Sequence, residues 1–124
     1  MTRSIIADTT VLIDCLRGLP AAIGWLTDQP LRPTCAEVTR VEVIRGLRSH
    51  ERRPAEQLFS VLTWAPLSEP ISRRAGDLGR RYRRSQTLGV ADLIIGATAL
   101  ELNASLATTN VKHFPMWKDL KPPY

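Results

Sequence analysis

The apolar positions along the chain change their spacing several times. Residues 4–8 form a short apolar run that ends directly in Asp8, which is typical of a buried strand. Further on, apolar residues recur at every third position from Val38 to Leu47, as on one face of a helix. The pattern therefore predicts strands that alternate with helices.

The same reasoning applied to the whole chain gives four strands and six helices. The predicted strands are residues 4–8, 34–36, 63–67 and 105–108, and the predicted helices are residues 10–17, 20–28, 39–47, 53–62, 69–84 and 90–102. Strands and helices in this order favour an α/β fold, with a parallel sheet covered on both faces. Ligands of such sheets bind beyond the carboxyl ends of the strands, so Asp8 is expected to face a site.

Composition is ordinary for a globular protein. The chain has 124 residues, 44% hydrophobic and 23% charged, and is expected to form a single domain over residues 1–124. No apolar run approaches the roughly 20 residues that span a bilayer, and no signal peptide pattern opens the sequence. We therefore expect a cytoplasmic protein without a membrane partner.

Cys15 and Cys35 lack metal-ligand spacing and are expected to be buried thiols.

The net charge of +5 is concentrated in one segment. Between residues 72 and 85 there are six arginines and a single acid, Asp77, so this stretch alone accounts for the excess. Arginine is well shaped to bind phosphate with two hydrogen bonds, which indicates nucleic acid contact. A solvated helix face beside an acidic protein partner remains the alternative. The four arginines nearest the end of the predicted helix, called here the arginine cluster, are Arg80, Arg81, Arg83 and Arg84.

Two further carboxylates lie in apolar helices. Glu42 has Gly46 four residues later on the same face, and glycine inside a helix often marks a close backbone approach. Asp92 opens an apolar helix and is followed by Gly96, which is expected to leave room beside the carboxylate. Each acid also has a plain interpretation, because Glu42 could face solvent and Asp92 could only complement the helix dipole.

A fourth polar group comes from the last predicted strand, which ends in Thr108, Thr109 and Asn110. These could be ordinary turn residues. However, clustered carboxylates repel each other unless a cation lies among them, and oxygen ligands favour Mg²⁺ or Mn²⁺ over zinc. Such an ion beside a basic helix suits phosphodiester hydrolysis, because it polarises a phosphoryl oxygen and lowers the pKa of a bound water.

Four segments in order then show a resemblance to a known family. They are IIADTTVLI at residues 5–13, TRVEVIRG at 39–46, ADLIIGATA at 91–99 and LATTNVKHF at 106–114. Together they resemble the PIN-domain ribonucleases, and most of all the VapC toxins of bacterial toxin–antitoxin pairs. No single segment is specific for this family, but the four segments in this order and at these intervals, in so short a chain, are specific for it.

The resemblance implies a three-layer α/β/α sandwich and a Mg²⁺- or Mn²⁺-dependent endoribonuclease. It also implies an RNA substrate, a small cognate antitoxin and a homodimer. Carried over by position, the catalytic and metal-binding residues would be Asp8, Glu42, Asp92 and Asn110. The hydroxyls of Thr10 and Thr108 would help to hold the metal-bound water or the first carboxylate, and the arginine cluster would hold the RNA. At the position of Asn110 many family members carry a fourth acid and others carry asparagine, so this chain has one negative charge fewer than the members with four acids.

Three alternatives compete with this interpretation. A receiver-type phosphoacceptor domain would need a lysine at the end of a late strand, where this chain has Thr-Thr-Asn. A haloacid-dehalogenase-type phosphatase would need an aspartate at the position of Thr10. A non-catalytic RNA-binding module with a degenerate site is the remaining alternative.

Of the two histidines, His50 is expected to be solvated, and His113 lies close enough to Asn110 to be a minor candidate for a general base.

Overall fold

A computed structural model describes residues 3–84 and 88–124 of the chain. Its strands are β1 (Ile5–Ala7), β2 (Thr34–Ala36), β3 (Thr63–Ala65) and β4 (Ser105–Ala107). They form one parallel sheet in the order β3-β2-β1-β4. All four predicted strands are confirmed, although three are shorter than predicted.

The helices of the described residues are α1 (Thr9–Leu16), α2 (Pro20–Thr27), α3 (Glu37–Arg45), α4 (Arg52–Ser60), α5 (Glu69–Arg81) and α6 (Val90–Glu101), with a short 3₁₀ helix at Val111–His113. Their bounds agree with the predicted helices to within two residues, except at the end of α5. The prediction that this helix continues to residue 84 is wrong. Its buried residues end at Leu78, and the two arginines after Tyr82 offer no apolar side chain that would hold another turn against the core.

Side chains of the strands alternate between two cores, one on each face of the sheet. Ile6 and Leu106 pack with Ile95 of α6, whereas Ala7 and Cys35 belong to a second core formed largely by α1, α3 and α4. Adjacent strand residues point to opposite faces, so both faces are covered by helices. The predicted three-layer α/β/α sandwich is therefore confirmed.

Two interpretations of glycines are wrong. Gly46 is the C-cap of α3, and a Cβ there would meet only ordinary contacts, the nearest at 3.7 Å. Space beside Gly96 is not left for the carboxylate of Asp92. It is filled by the segment after the 3₁₀ helix, since a Cβ on Gly96 would lie 3.4 Å from Met116 Cε and 3.6 Å from Trp117 Cζ3. The side of α6 at Gly96 therefore packs against the C-terminal segment.

The described residues contain no single helix that is long and apolar enough to cross a membrane, and only α1 with α2, bent by 111°, pass such a test as a pair.

Cys15 is half-buried, Cys35 is buried, and both are free thiols. Burial is the main cause that raises the pKa of Cys15 to about 11 and that of Cys35 to about 12. Both thiols are therefore protonated at neutral pH, as expected of structural cysteines.

The register of the sheet determines where the functional residues lie. Ile5 pairs with Ser105, and Ala7 pairs with Ala107, so β1 and β4 end at the same level. The backbone N–H of Asp8 continues this ladder by donating to the carbonyl of Ala107 at 2.9 Å. The residues that follow the two strands, Asp8 and Thr108, are consequently neighbours although they are far apart in sequence.

Candidate functional site

Asp8 is a buried carboxylate at the junction of β1 and α1, only 3% exposed. As the N-cap of α1, its Oδ1 accepts from the backbone N–H of Thr9 at 2.8 Å, which is a favoured role for aspartate. Its Oδ2 accepts from the hydroxyls of Thr10 at 3.0 Å and Thr108 at 2.7 Å. Of the two roles expected for Thr10 and Thr108, holding the metal-bound water or holding the first carboxylate, the second matches these contacts.

The environment of Asp8 raises the pKa of its carboxyl group above the usual value. Burial is the main cause, and the negative charge of Asp92 adds to it, while the hydrogen bonds of Thr108, Thr10 and Thr9 act in the opposite direction. Burial disfavours an uncompensated charge, and the neighbouring charge that acts on Asp8 has the same sign. Asp8 and Asp92 are thus close enough to repel, which is the situation that a bound cation relieves.

Glu42, on α3, is tied to the start of α1 by a residue that sequence reasoning missed. The Thr9 hydroxyl donates to Glu42 Oε1 at 2.6 Å and lies 3.1 Å from the hydroxyl of Thr39. The half-buried Glu42 is consequently held towards Asp8 and does not simply face solvent. The signal available in the sequence was that Thr9 directly follows Asp8 and must begin the helix, but its side-chain direction was not predictable from spacing.

Asp92 has the helix-cap role that the sequence left open, and a second contact as well. Its Oδ2 accepts from the backbone N–H of Gly89 at 3.1 Å, in the first turn of α6. The same oxygen lies 3.1 Å from Nδ1 of His113 in the 3₁₀ helix. His113 is thus adjacent to a candidate ligand, a placement that the sequence indicates only weakly.

Asn110 lies beyond the end of β4, as predicted, but its side chain is not drawn into the hydrogen bonds described above. Its backbone N–H donates to the Thr108 hydroxyl at 3.0 Å, and the residue is exposed. Among the described residues its amide group has no hydrogen-bond partner. Hydrogen bonds join Asp8 to Thr9, Thr10 and Thr108 and join Thr9 to Glu42, and the charge of Asp92 acts on Asp8. The residues linked in this way are called here the acid edge: Asp8, Glu42, Asp92, Thr9, Thr10 and Thr108.

The donor set of the acid edge fits a hard cation in type. Among the described residues, no three acidic, histidine or cysteine side chains stand close enough together to enclose a metal ion. The carboxylate of Asp8 nevertheless keeps a free lone pair for a metal ion. Oδ2 of Asp8 already accepts two hydrogen bonds, whereas Oδ1 accepts one, and a carboxylate oxygen has two acceptor sites. Oδ1 of Asp8 therefore keeps one site for a cation.

The arginines of α5 and of the turn that follows it fall into two groups. Arg73 pairs with Glu69 at 3.3 Å, and Arg74 pairs with Glu101 of α6 at 3.0 Å. The four arginines of the arginine cluster are exposed, and none of them forms an ion pair within residues 3–84 and 88–124. They line a shallow cleft with Pro115, which lies two residues beyond His113. The unpaired positive charges therefore adjoin the segment that contacts Asp92.

Comparisons with known proteins show which family the chain belongs to. The profile of the PIN domain family matches residues 5–115. Ribonuclease VapC10 of Mycobacterium tuberculosis is 46% identical over 125 residues, which cover 97% of this chain and 92% of the relative. Ribonuclease VapC19 of the same species is 42% identical over 121 residues, covering 94% and 97%.

Solved structures are similar as well. A toxin–antitoxin complex from Klebsiella pneumoniae contains a chain that is 29% identical, with a TM-score of 0.84 and coverage of 98% of both chains. The family match spans most of the sequence, and the relatives exceed 40% identity over nearly their full lengths. The chain therefore belongs to the PIN-domain family, among the VapC-type ribonucleases.

Proposed function

We propose that the protein is a divalent-metal-dependent endoribonuclease toxin that hydrolyses RNA phosphodiester bonds at the acid edge. The observation that carries the proposal is Asp8, a buried carboxylate whose neighbouring charge is another carboxylate. A protein tolerates a buried charge when it is paired or coordinates a metal. The chain's similarity to two ribonucleases supports the same activity.

Asp8, Glu42 and Asp92 would hold the cation, with Asn110 as a further candidate oxygen ligand. When bound, Mg²⁺ or Mn²⁺ supplies Lewis acid chemistry, by polarising a phosphoryl oxygen and activating a water. The hydroxyls of Thr10 and Thr108 fix the orientation of the Asp8 carboxylate by donating to its Oδ2. Partner groups of this kind keep ligands in position.

The arginine cluster would hold the RNA backbone beside the acid edge. Its guanidinium groups are exposed and form no ion pair among the described residues, so they can bind phosphate without first giving up a protein partner. Contacts to phosphate position the strand and carry no sequence information. The cluster is therefore expected to contribute affinity, while the choice of cleavage site depends on other contacts.

The similarity to a chain of a toxin–antitoxin complex supports a cognate antitoxin as the protein partner. An antitoxin that covers the acid edge or the arginine cluster would silence the enzyme. We further propose that the chain acts in the cytoplasm as a homodimer, with residues 1–124 forming a single nuclease domain. Sedimentation of the isolated protein would test the dimer directly.

The experiment is RNA cleavage by the purified protein with end-mapping of the products. We expect cleavage at discrete sites in Mg²⁺ or Mn²⁺, no cleavage after chelation, and products that carry a 5′-phosphate and a 3′-hydroxyl, because an activated water attacks the phosphorus. Products that end in a 2′,3′-cyclic phosphate would contradict the proposal, since they form without an attacking water. RNA binding without any metal-dependent cleavage would instead support the alternative, a binding module with a degenerate site.

A further inference from the structure

Thr9 contacts both Asp8 and Glu42, through different groups. Its backbone N–H donates to Asp8 Oδ1 at 2.8 Å, and its side-chain hydroxyl donates to Glu42 Oε1 at 2.6 Å. One residue therefore holds two carboxylates, that of Asp8 directly after β1 and that of Glu42 on α3. Neither Thr10 nor Thr108 does this, because both hydroxyls are directed to Asp8 Oδ2.

The direction of the Thr9 hydroxyl is fixed by a residue behind it. A hydroxyl has one proton to donate, and the carboxylate oxygen at the shorter distance is the stronger acceptor for it. The 3.1 Å hydrogen bond between the hydroxyls of Thr9 and Thr39 is then donated by Thr39. The result is a chain of hydrogen bonds that runs from Thr39 through Thr9 to Glu42.

Water cannot easily replace this chain. Thr39 is fully buried and Thr9 is only 7% exposed. Within the described residues Glu42 has no other hydrogen-bond donor, so its side chain would regain rotamer freedom without Thr9, and an ordered glutamate side chain costs conformational entropy. The spacing between the carboxylates of Asp8 and Glu42 thus depends on the Thr9 hydroxyl.

We propose that Thr9 is a positioning residue of the acid edge, which sets the distance between Asp8 and Glu42, with Thr39 orienting its hydroxyl. The inference rests on the proposed function, because it assumes that these two carboxylates bind the same cation. Removing the Thr9 hydroxyl is therefore expected to weaken the affinity of the acid edge for the cation. Residues that orient metal ligands typically affect metal affinity or activity by about 10–100-fold.

The test is calorimetric titration of the folded, purified protein with Mn²⁺. Thr9→Val replaces the hydroxyl by a methyl group of similar size, and we expect Mn²⁺ affinity to fall by about 10–100-fold. Thr9→Ser keeps the hydroxyl and should recover most of that affinity. The matched control is Thr98→Val. Thr98 is also buried, at 1% exposure, but its hydroxyl donates only to the carbonyl of Ile94 in α6. The Mn²⁺ affinity of the Thr98→Val protein should therefore equal that of the wild type.

A Thr9→Val protein that binds Mn²⁺ as tightly as the wild type would overturn the inference. Should this variant fail to fold, Thr39→Val tests the same chain of hydrogen bonds. Reduced Mn²⁺ affinity of Thr39→Val would support the inference, and wild-type affinity would refute it.

Asp8→Asn in the same titration separates the two proposals. If it loses Mn²⁺ binding while Thr9→Val does not, only the role of Thr9 fails, and if it retains binding, the proposed metal site itself fails.

Discussion

Two buried carboxylates, Asp8 and Glu51, have opposite electrostatic environments. Glu51 is 6% exposed and accepts from the backbone N–H of Arg48 at 2.8 Å and from Nε of Arg17 at 3.0 Å. These partners lower the pKa of its carboxyl group. Asp8 is similarly buried, but burial and the charge of Asp92 raise its pKa. The protein thus supplies a cation for one carboxylate and not for the other.

The difference separates a structural acid from a candidate ligand. A buried carboxylate with its own arginine is satisfied within the fold, and needs nothing from outside. Asp8 is held in place by three neutral donors, which orient it without neutralising it. Raised pKa values of this kind cluster at functional sites. The comparison therefore predicts that changes at the two acids affect different properties of the protein.

The largest effect is expected from exchanging each carboxylate for its amide. Asp8→Asn removes the negative charge that would bind the cation, so the rate of RNA cleavage should fall by at least about 100-fold, the upper end of the effects seen around metal ligands. Glu51→Gln should leave the turnover of the folded protein unchanged. The measurement is single-turnover cleavage of one RNA by both variants. Equal reductions in the two variants would remove the functional distinction between these acids.

An intermediate effect is expected at the arginines of α5. Replacing Arg80 and Arg81 by alanine should weaken RNA binding and flatten its dependence on salt, because each phosphate of a single strand that an arginine neutralises contributes about 0.7 to the logarithmic slope. The matched control is the double replacement of Arg73 and Arg74, which removes the same charge from groups already paired with acids. An equal change of slope in the control would show that net charge, and not the arginine cluster, governs binding.

The smallest effect concerns the stability of Glu51→Gln. Because the folded state lowers the pKa of Glu51, its ionised form stabilises the protein fully above its usual pKa of 4.5. This contribution disappears as the pH falls through the lower folded-state value. Urea unfolding should therefore find the variant less stable than the wild type at pH 7, with a difference in the free energy of unfolding that narrows once the pH is brought below 4.5. A gap that is the same at both pH values would mean that the ionic contacts of Glu51 contribute no stability.

Much of this site could be predicted from sequence because the sheet topology determines where its residues meet. Parallel strands bring their carboxyl ends to one edge, so the contact between Asp8 and Thr108 follows once β1 and β4 are recognised. The pattern of apolar positions and the order of the elements suffice for that conclusion. From sequence, Glu42 and Asp92 are assigned to the site only through the resemblance to the PIN-domain ribonucleases, because the pattern alone also allows Glu42 to face solvent and Asp92 to serve only the helix dipole.

The contacts made by Thr9 and His113 could not be predicted in the same way. Thr9 reaches Glu42 because of the direction of one side chain in the first turn of α1, and periodicity does not report that direction. His113 lies in a single 3₁₀ turn, which has no repeating pattern to recognise. The interpretation of Gly96 failed for a related reason, since the residues that fill its space come from the irregular segment near Met116.

The central claim is that the acid edge binds a divalent cation through Asp8. The most direct measurement is a crystal structure of the protein soaked in Mn²⁺, with the ion located by its anomalous scattering. We expect an anomalous peak in contact with Oδ1 of Asp8, the oxygen that keeps an acceptor site free, and no such peak in crystals of Asp8→Asn. Wild-type crystals without manganese at Asp8, or with the ion bound only elsewhere, would contradict the account.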